Sequence, residues 1–563
     1  MPTATIFSHA SKKPVQRASE ARCFLAISLL AGMSFLFVAS PASAQLPDHS
    51  AHQGGPVPHE ILDRAVPLRT GIGIMHEKVS TASAEAQAFY DQGLAYLHSF
   101  VWIEAIRSFH QALRNDANLG MAYLGLCDAY IGLQDIATAR AAFERAEALE
   151  KHLSDREKTW LSLRRLELEV VEDPNNGDKY FAYRKAVNDA LSASPNDPWL
   201  WIQRGLAEES SPLTHGQAGD VDSLAFYKTA LALAPDNLAA RHYYAHSWES
   251  IGRGKEALDE TTTYARLAPA IPHAHHMHGH ELMRLGRTAE AIQEFLKTKE
   301  LEEAYYKTEN IPPQFDWHHA HNLQLLALAY QTLGKAKAAE ALLREAFTQP
   351  AYTEFLEYNR RALPEFLLNR GRYQEALDTS RELAGSPWPL ARLAGHTLAG
   401  QAFTGLNRLD DAKDELRAAE RETDSLPPRV VAALPYPRAL RATLLMFEGR
   451  VEESRALTIE LERSILSMPG PDAWCAAQFE LETIATRARQ AGDWDLARYT
   501  AEEMIKHNPQ YAGGHFALGL VAEHAGESGG ARQMFAAAEK LWIQGDAALP
   551  ELVLLRAKLK AAN

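Results

Sequence analysis

A single interval, thirty-four residues, recurs along this chain and restricts its fold more than any other feature. Gly93, Tyr96, Ala105, Phe109 and Ala112 return one interval later as Cys127, Tyr130, Ala139, Phe143 and Ala146. A fixed period of this size marks a solenoid, in which each unit buries its apolar face only against its neighbours. Pro195, Pro235, Pro269 and Pro509 close successive units, because proline cannot continue a helical hydrogen-bond ladder. A glycine followed five residues later by alanine recurs at Gly252, Gly286, Gly334, Gly371, Gly492 and Gly526, the mark of a short turn between two helices.

The pattern resembles the tetratricopeptide repeat, in which small residues let two antiparallel helices approach and aromatic residues fill the space between neighbours. The resemblance implies an all-α fold, a right-handed α-solenoid of about eleven or twelve helical hairpins over residues 84–546. Weaker repeats fall around 155–195 and 430–465. Residues 547–563, with the run "LPELVLLRAKLK", are expected to form a helix that caps the last apolar face. Two stretches interrupt the period. Residues 209–222 lengthen one loop, and a second insertion containing "KTENIPPQFDW" is expected as a surface loop or as a lid over the groove.

Residues 1–44 read as an export signal: Lys12, Lys13, Arg17 and Arg22 precede the apolar run "FLAISLLAGMSFLFVAS", and Ala42-Ser43-Ala44 offers a cleavage site. An uncleaved anchor is the competing reading. The expected location is exported and periplasmic, in a Gram-negative bacterium, with no membrane contact beyond the signal. Cleavage would take the net charge from −14 to about −17, which argues against nucleic acid or an anionic membrane as partner. Cys127 and Cys475 would remain, too few for a disulfide framework. Residues 45–83 are expected as a flexible segment rich in Pro, Gly and His; His49, His52 and His59 somewhat resemble the tails of exported copper-handling proteins.

"IPHAHHMHGHELMRLGR" crowds five histidines into eight positions. With repeats starting at Leu238 and Pro272, His242 and His246 take positions 5 and 9 of one unit, and His276 and His280 take positions 5 and 9 of the next. A four-residue step places both rings of a pair on one helix face, about 5–6 Å apart at Cβ. Neighbouring helices about 8–10 Å apart bring the pairs within reach of each other. The resemblance implies that positions 2, 5, 9 and 12 face the concave groove. It adds Glu249 at position 12, His321 at position 2 of the following unit, and Glu209 at position 12 of the preceding one. His242, His246, Glu249, His276, His280 and His321 are therefore the candidate metal ligands, suited to zinc, copper, nickel or iron. His275 and His278 fall at positions that pack between helices and read as structural; His273 either faces the groove or ends the preceding turn.

"HYYAHSWE", "HAHHMHGHELMRLGR" and "HAHN" resemble a group of exported bacterial tetratricopeptide proteins of unknown function, with H-Y-x-x-H-x-x-E, H-M-P-x-H-I and H-N motifs, over about residues 70–350. That likeness implies a site of His242, His246, Glu249, His276, His280, His321 and Asn322, with His278 standing where proline is usual. Phosphate loops, G-x-S-x-G elbows and C-x-x-C pairs are missing from the sequence. The carboxylate clamp of chaperone-binding repeats is missing too, since Tyr90, Leu94, Leu124 and Asp128 hold its positions. Three readings remain: a scaffold binding a protein or peptide in its concave groove, a metal-binding protein, and a metal-dependent hydrolase or oxidoreductase with Glu249 or Glu209 as base.

Overall fold

The computed structural model describes residues 57–209, 212–351, 353–468 and 470–561. The expected signal, His49 and His52 lie outside them. The described residues are all-α, and twelve antiparallel hairpins follow one another along the chain. A four-residue helix, α1 (His59–Leu62), precedes them. The first hairpins are α2 (Ala84–Leu97) with α3 (Trp102–Asn115), α4 (Gly120–Gly132) with α5 (Ile136–Ala148), α6 (Asp155–Glu172) with α7 (Gly177–Ala193), and α8 (Pro198–Leu206) with α9 (Leu224–Leu233). The central ones are α10 (Leu238–Ser250) with α11 (Gly254–Leu267), α12 (Pro272–Arg284) with α13 (Thr288–Glu309), and α14 (Trp317–Thr332) with α15 (Ala336–Thr348). After the short α16 (Glu354–Asn359) come α17 (Ala362–Asn369) with α18 (Tyr373–Ala384) and α19 (Pro389–Gly405) with α20 (Leu409–Glu422). The single turn α21 (Pro428–Ala433) leads to α22 (Arg438–Phe447) with α23 (Val451–Leu466), α24 (Pro471–Ala491) with α25 (Trp494–His507), α26 (Ala512–His524) with α27 (Ser528–Leu541), and a last helix α28 (Pro550–Ala561).

The repeat pattern has a direct steric cause. Phe109 is fully buried, and a Cβ added to Gly93 would lie 2.4 Å from its ring, one added to Gly125 only 2.5 Å. The ring thus wedges between its own hairpin and the next, a place left open by the absence of two side chains. Ala105, Ala112, Ala139 and Ala146 are buried at the other close approaches. The six turn glycines all have φ between 67° and 82°, a left-handed conformation that glycine adopts without steric cost.

The superhelix is tight, and its turns touch. Residues 57–83, expected as part of a flexible segment, instead pack on the array: Ile61, Leu62, Ile72, Met75 and Val79 join the apolar core of the first hairpins. Gly71 O accepts a hydrogen bond from Ala270 N at 2.8 Å. The apolar spacing of these residues, hidden among Pro and Gly, is what the compositional reading overlooked. The second insertion is part helix and part loop: its Glu- and Lys-rich first half prolongs α13 by about two turns to Glu309, and residues 310–316 form the expected loop, with one short turn at Pro313–Phe315. This extension reaches back to the first hairpin, where Arg107 meets Glu309 Oε2 at 2.8 Å and Tyr305 donates to Glu104 at 3.0 Å. Farther along, α24 lies against α12 and α14, and Asp546 N donates to Gly334 O at 3.0 Å. The helices carrying the histidines are consequently enclosed by both ends of the chain. Among the described residues no helix is long and apolar enough to cross a membrane, and Cys127 and Cys475 are separate, buried thiols.

Candidate metal centre

Helix α10 starts where the Asn237 side chain accepts from Ala240 N, and α12 starts with Pro272 in its first turn. These starts set the rotation of both helices, so that His242, His246, His273, His276 and His280 all point into the superhelix. None is more than 7% exposed. The rings do not share one volume, as the repeat spacing had suggested. They divide into two groups: His242, His246 and His273, and His276, His280 and His321, each with ligand atoms within 4.8 Å of one another. His273, at position 2, completes the first group and His321, at position 2 of the next unit, the second.

In the first group the His242 Nε2 lies 3.0 Å from His246 Nε2 and 2.9 Å from His273 Nε2. The outer nitrogens settle where the protons are. His242 Nδ1 donates to the backbone oxygen of His98 at 2.7 Å. His246 Nδ1 faces Glu249 Oε2 at 3.1 Å. His273 Nδ1 donates to His318 Nε2 at 3.1 Å, because His318 Nδ1 in turn donates to Glu302 Oε1 at 2.6 Å. A neutral imidazole carries one N–H, so in these tautomers His246 and His273 each bring an Nε2 lone pair up to the Nε2 of His242. Three lone pairs at such range repel unless a cation sits between them. Ligands at about 2.1 Å and right angles stand about 3.0 Å apart, against about 3.4 Å for a tetrahedral set; the two separations from His242 Nε2 match the former.

The surroundings keep two of these rings, His242 and His273, neutral. Burial, together with His246, holds His242 well below the ordinary histidine range, and burial with His242 and His318 does the same for His273. Phe100 lies against all three rings, 4.5 Å from His242, 5.0 Å from His273 and 6.0 Å from His246. It does so from a left-handed backbone, φ 60°, that costs a non-glycine residue about 1–2 kcal/mol.

Two expected groups take other places. Glu249, a candidate ligand or base, sits behind the rings with Oε1 accepting from His280 Nδ1 at 3.1 Å and Oε2 facing His246 Nδ1, so it joins the two groups from outside. Burial opposes its ionisation, but the two imidazoles prevail and its carboxyl is held well below the usual range. Glu209 stands apart from the rings. It accepts from Thr214 Oγ1, from Gly216 N at 2.9 Å and from Ala218 N at 3.1 Å, pinning the 212–218 loop; burial raises it to about 7. His275, paired with Glu294 at 2.7 Å, and His278, beside Thr261 and Thr262, are structural as expected. His59 is an exposed residue of α1, away from this centre.

In the second group His276 Nδ1 donates to Asn322 Oδ1 at 2.9 Å, and the Asn322 amide is fixed by donating to Phe295 O at 3.1 Å. Burial holds His276 well down and lowers His321 to about 4. Sequence reasoning missed His318 and Glu302, which orient His273, although "DWHHAHN" displayed the former. Buried Glu302 accepts from both His318 and, at 2.8 Å, His319.

On the far side of His98 and Tyr243, joined at 2.8 Å, lies a cavity of about 70 Å³ lined also by Asp128, Arg164, Glu167 and His215. Arg164 bridges Asp128 at 2.7 Å and Glu167 at 2.8 Å there.

A scan of family models and a search of curated proteins find no match. Among solved structures the chain is similar to a tetratricopeptide repeat protein from Parabacteroides merdae, at 14% identity and a TM-score of 0.34 over 47% of this chain and 93% of that one. It is also similar to yeast Tom70, at 15% identity and 0.30 over 85% and 95%, and to a human IFIT1 dimer with PPP-AAAA, at 12% identity and 0.37 over 75% and 90%. The all-α solenoid rests on the succession of helical hairpins in the chain itself.

Proposed function

We propose that this solenoid is a transition-metal protein, exported to the periplasm, whose ion is held by His242, His246 and His273. The observation that carries the reading is the convergence of three buried Nε2 atoms with each outer nitrogen engaged by a carbonyl, a carboxylate or a second histidine. Such outer contacts fix the tautomer that presents a lone pair to a metal. An all-nitrogen set favours copper, nickel, iron or zinc over calcium and magnesium. Phe100 and α24 pack at these helices, so a protein partner in the groove would meet the array beside them.

The enzyme reading is favoured by one observation: among the described residues three ligands gather at this centre, the number that leaves a coordination position for water or substrate. The cavity beyond His98 and Tyr243 is large enough for several water molecules or one end of a small polar substrate. In this reading neither Glu249, turned to the outer nitrogens, nor Glu209, committed to its loop, is the base.

Elemental analysis of untagged protein tests the proposal. It should carry a transition metal that His242→Ala loses while retaining its helical spectrum. An unchanged metal content in that variant would overturn the assignment.

A further inference from the structure

The strongest unexplained feature outside the His242 group is a set of four buried polar atoms with no hydrogen-bond partner: His276 Nε2, His280 Nε2, His321 Nδ1 and Asp472 Oδ1. Orphaned groups of this kind are rare in folded proteins, and four in one place require a cause. Their positions make the cause specific. Asp472 Oδ1 lies 3.9 Å from His280 Nε2, and Oδ2 lies 3.6 Å from His321 Nδ1. Those distances are too long for hydrogen bonds. Two donors on one tetrahedral ion stand about 3.4 Å apart, so the carboxylate would swing a few tenths of an ångström inward to join the three nitrogens, which lie within 4.8 Å of one another. The outer nitrogens of His276 and His280 are spent on Asn322 and Glu249, which leaves Nε2 of each as a lone pair.

Asp472 belongs to the first turn of α24, whereas the three histidines belong to α12 and α14, in hairpins far earlier in the chain. Apart from this cluster, α24 is seated on α12 by softer contacts, including Cys475 Sγ at 3.9 Å from Met283 Sδ and Arg284 over the Trp474 ring. The geometry points to a second transition-metal site, with three imidazole nitrogens and the Asp472 carboxylate as ligands, whose ion ties α24 to α12 and α14 and closes the superhelix. The donor set is harder than the all-nitrogen set of the first centre and numbers four, which suits zinc or another divalent first-row ion. The proposal extends the metal-protein reading but stands on different atoms, so each can fail alone.

The test uses the full chain, stripped with chelator and dialysed against zinc, with bound metal counted for parent, His242→Ala, Asp472→Ala and His321→Ala. Differences between variants cancel any ion held elsewhere. Asp472→Ala and His321→Ala should each bind one equivalent fewer than the parent, and His242→Ala should lose a different one. Hydrogen exchange supplies a second readout. Zinc should slow amide exchange across residues 471–491 in the parent and not in Asp472→Ala. Undiminished zinc content in Asp472→Ala and His321→Ala, or zinc-independent exchange in α24 of the parent, would overturn the second site. Loss of zinc in Asp472→Ala with none in His242→Ala would instead sink the first centre and leave this one standing.

Discussion

Replacing Glu302 by glutamine leaves every proposed ligand in place and attacks only the way one of them is aimed. The carboxylate is fully buried and accepts from His318 Nδ1 at 2.6 Å and from His319 Nδ1 at 2.8 Å. Two acceptor oxygens serve two N–H groups; a carboxamide offers one acceptor and one donor. One histidine must therefore change tautomer. If His318 does so, its proton moves to Nε2 and is donated to His273 Nδ1, which drives the His273 proton onto Nε2, the atom that faces the ion. Losing an outer contact of this sort typically weakens metal binding about 10- to 100-fold, or about 1.4–2.7 kcal/mol. Competition against a chromophoric chelator measures the affinity, and ¹⁵N chemical shifts report the His273 tautomer. The expected result is weaker binding with Nε2 protonated in the metal-free variant. Parental affinity in a variant whose ¹⁵N shifts place the His318 proton on Nε2, with a chelator titration that still detects the His242→Ala defect, would refute the relay from Glu302 through His318.

Three further expectations come from other parts of the molecule. Burial raises Glu462 to about 7, so its neutral form stabilises the fold fully below the ordinary carboxyl range and the benefit is lost as pH climbs through 7. Glu462→Gln should therefore be more stable than the parent by about 1–3 kcal/mol at pH 8 and nearly equal at pH 5; equal denaturation midpoints at pH 8 would contradict it. Gly125→Ala drives a methyl to 2.5 Å from the buried Phe109 ring and should cost about 1–3 kcal/mol in thermal unfolding, an expectation defeated by an unshifted Tm. Burial pushes the Cys127 thiol up to about 12 and raises that of Cys475 as well, so neither should be alkylated by iodoacetamide at pH 8 before unfolding; rapid labelling of the native chain would show that these positions open.

The repeat was legible because its cause is local: glycine and alanine at fixed intervals are where helices touch, and the thirty-four-residue period carries that information along the chain. It also placed His242, His246, His276 and His280 on inward faces. Their grouping was not legible, since it depends on the superhelical rise that separates neighbouring units. His273 carried a usable signal, sharing position 2 with His321, but Pro272 beside it suggested a turn as readily as a helix. Phe100, held in a left-handed loop, and Asp472, delivered by a helix from the other end of the array, left no trace at short range. Both arrive through closure of the superhelix, a long-range property that no repeat register encodes. Glu249 was rightly drawn to the histidines; its role as an outer acceptor between two groups needed the direction of each ring.

Anomalous diffraction from crystals of the untagged chain, collected at the absorption edge of whichever metal the purified protein carries, is the most direct measurement. A peak bonded to the Nε2 atoms of His242, His246 and His273, at about 2.0–2.2 Å, is the predicted result. Protein that refuses metal, or an ion lodged at other residues while these three rings point apart, would contradict it.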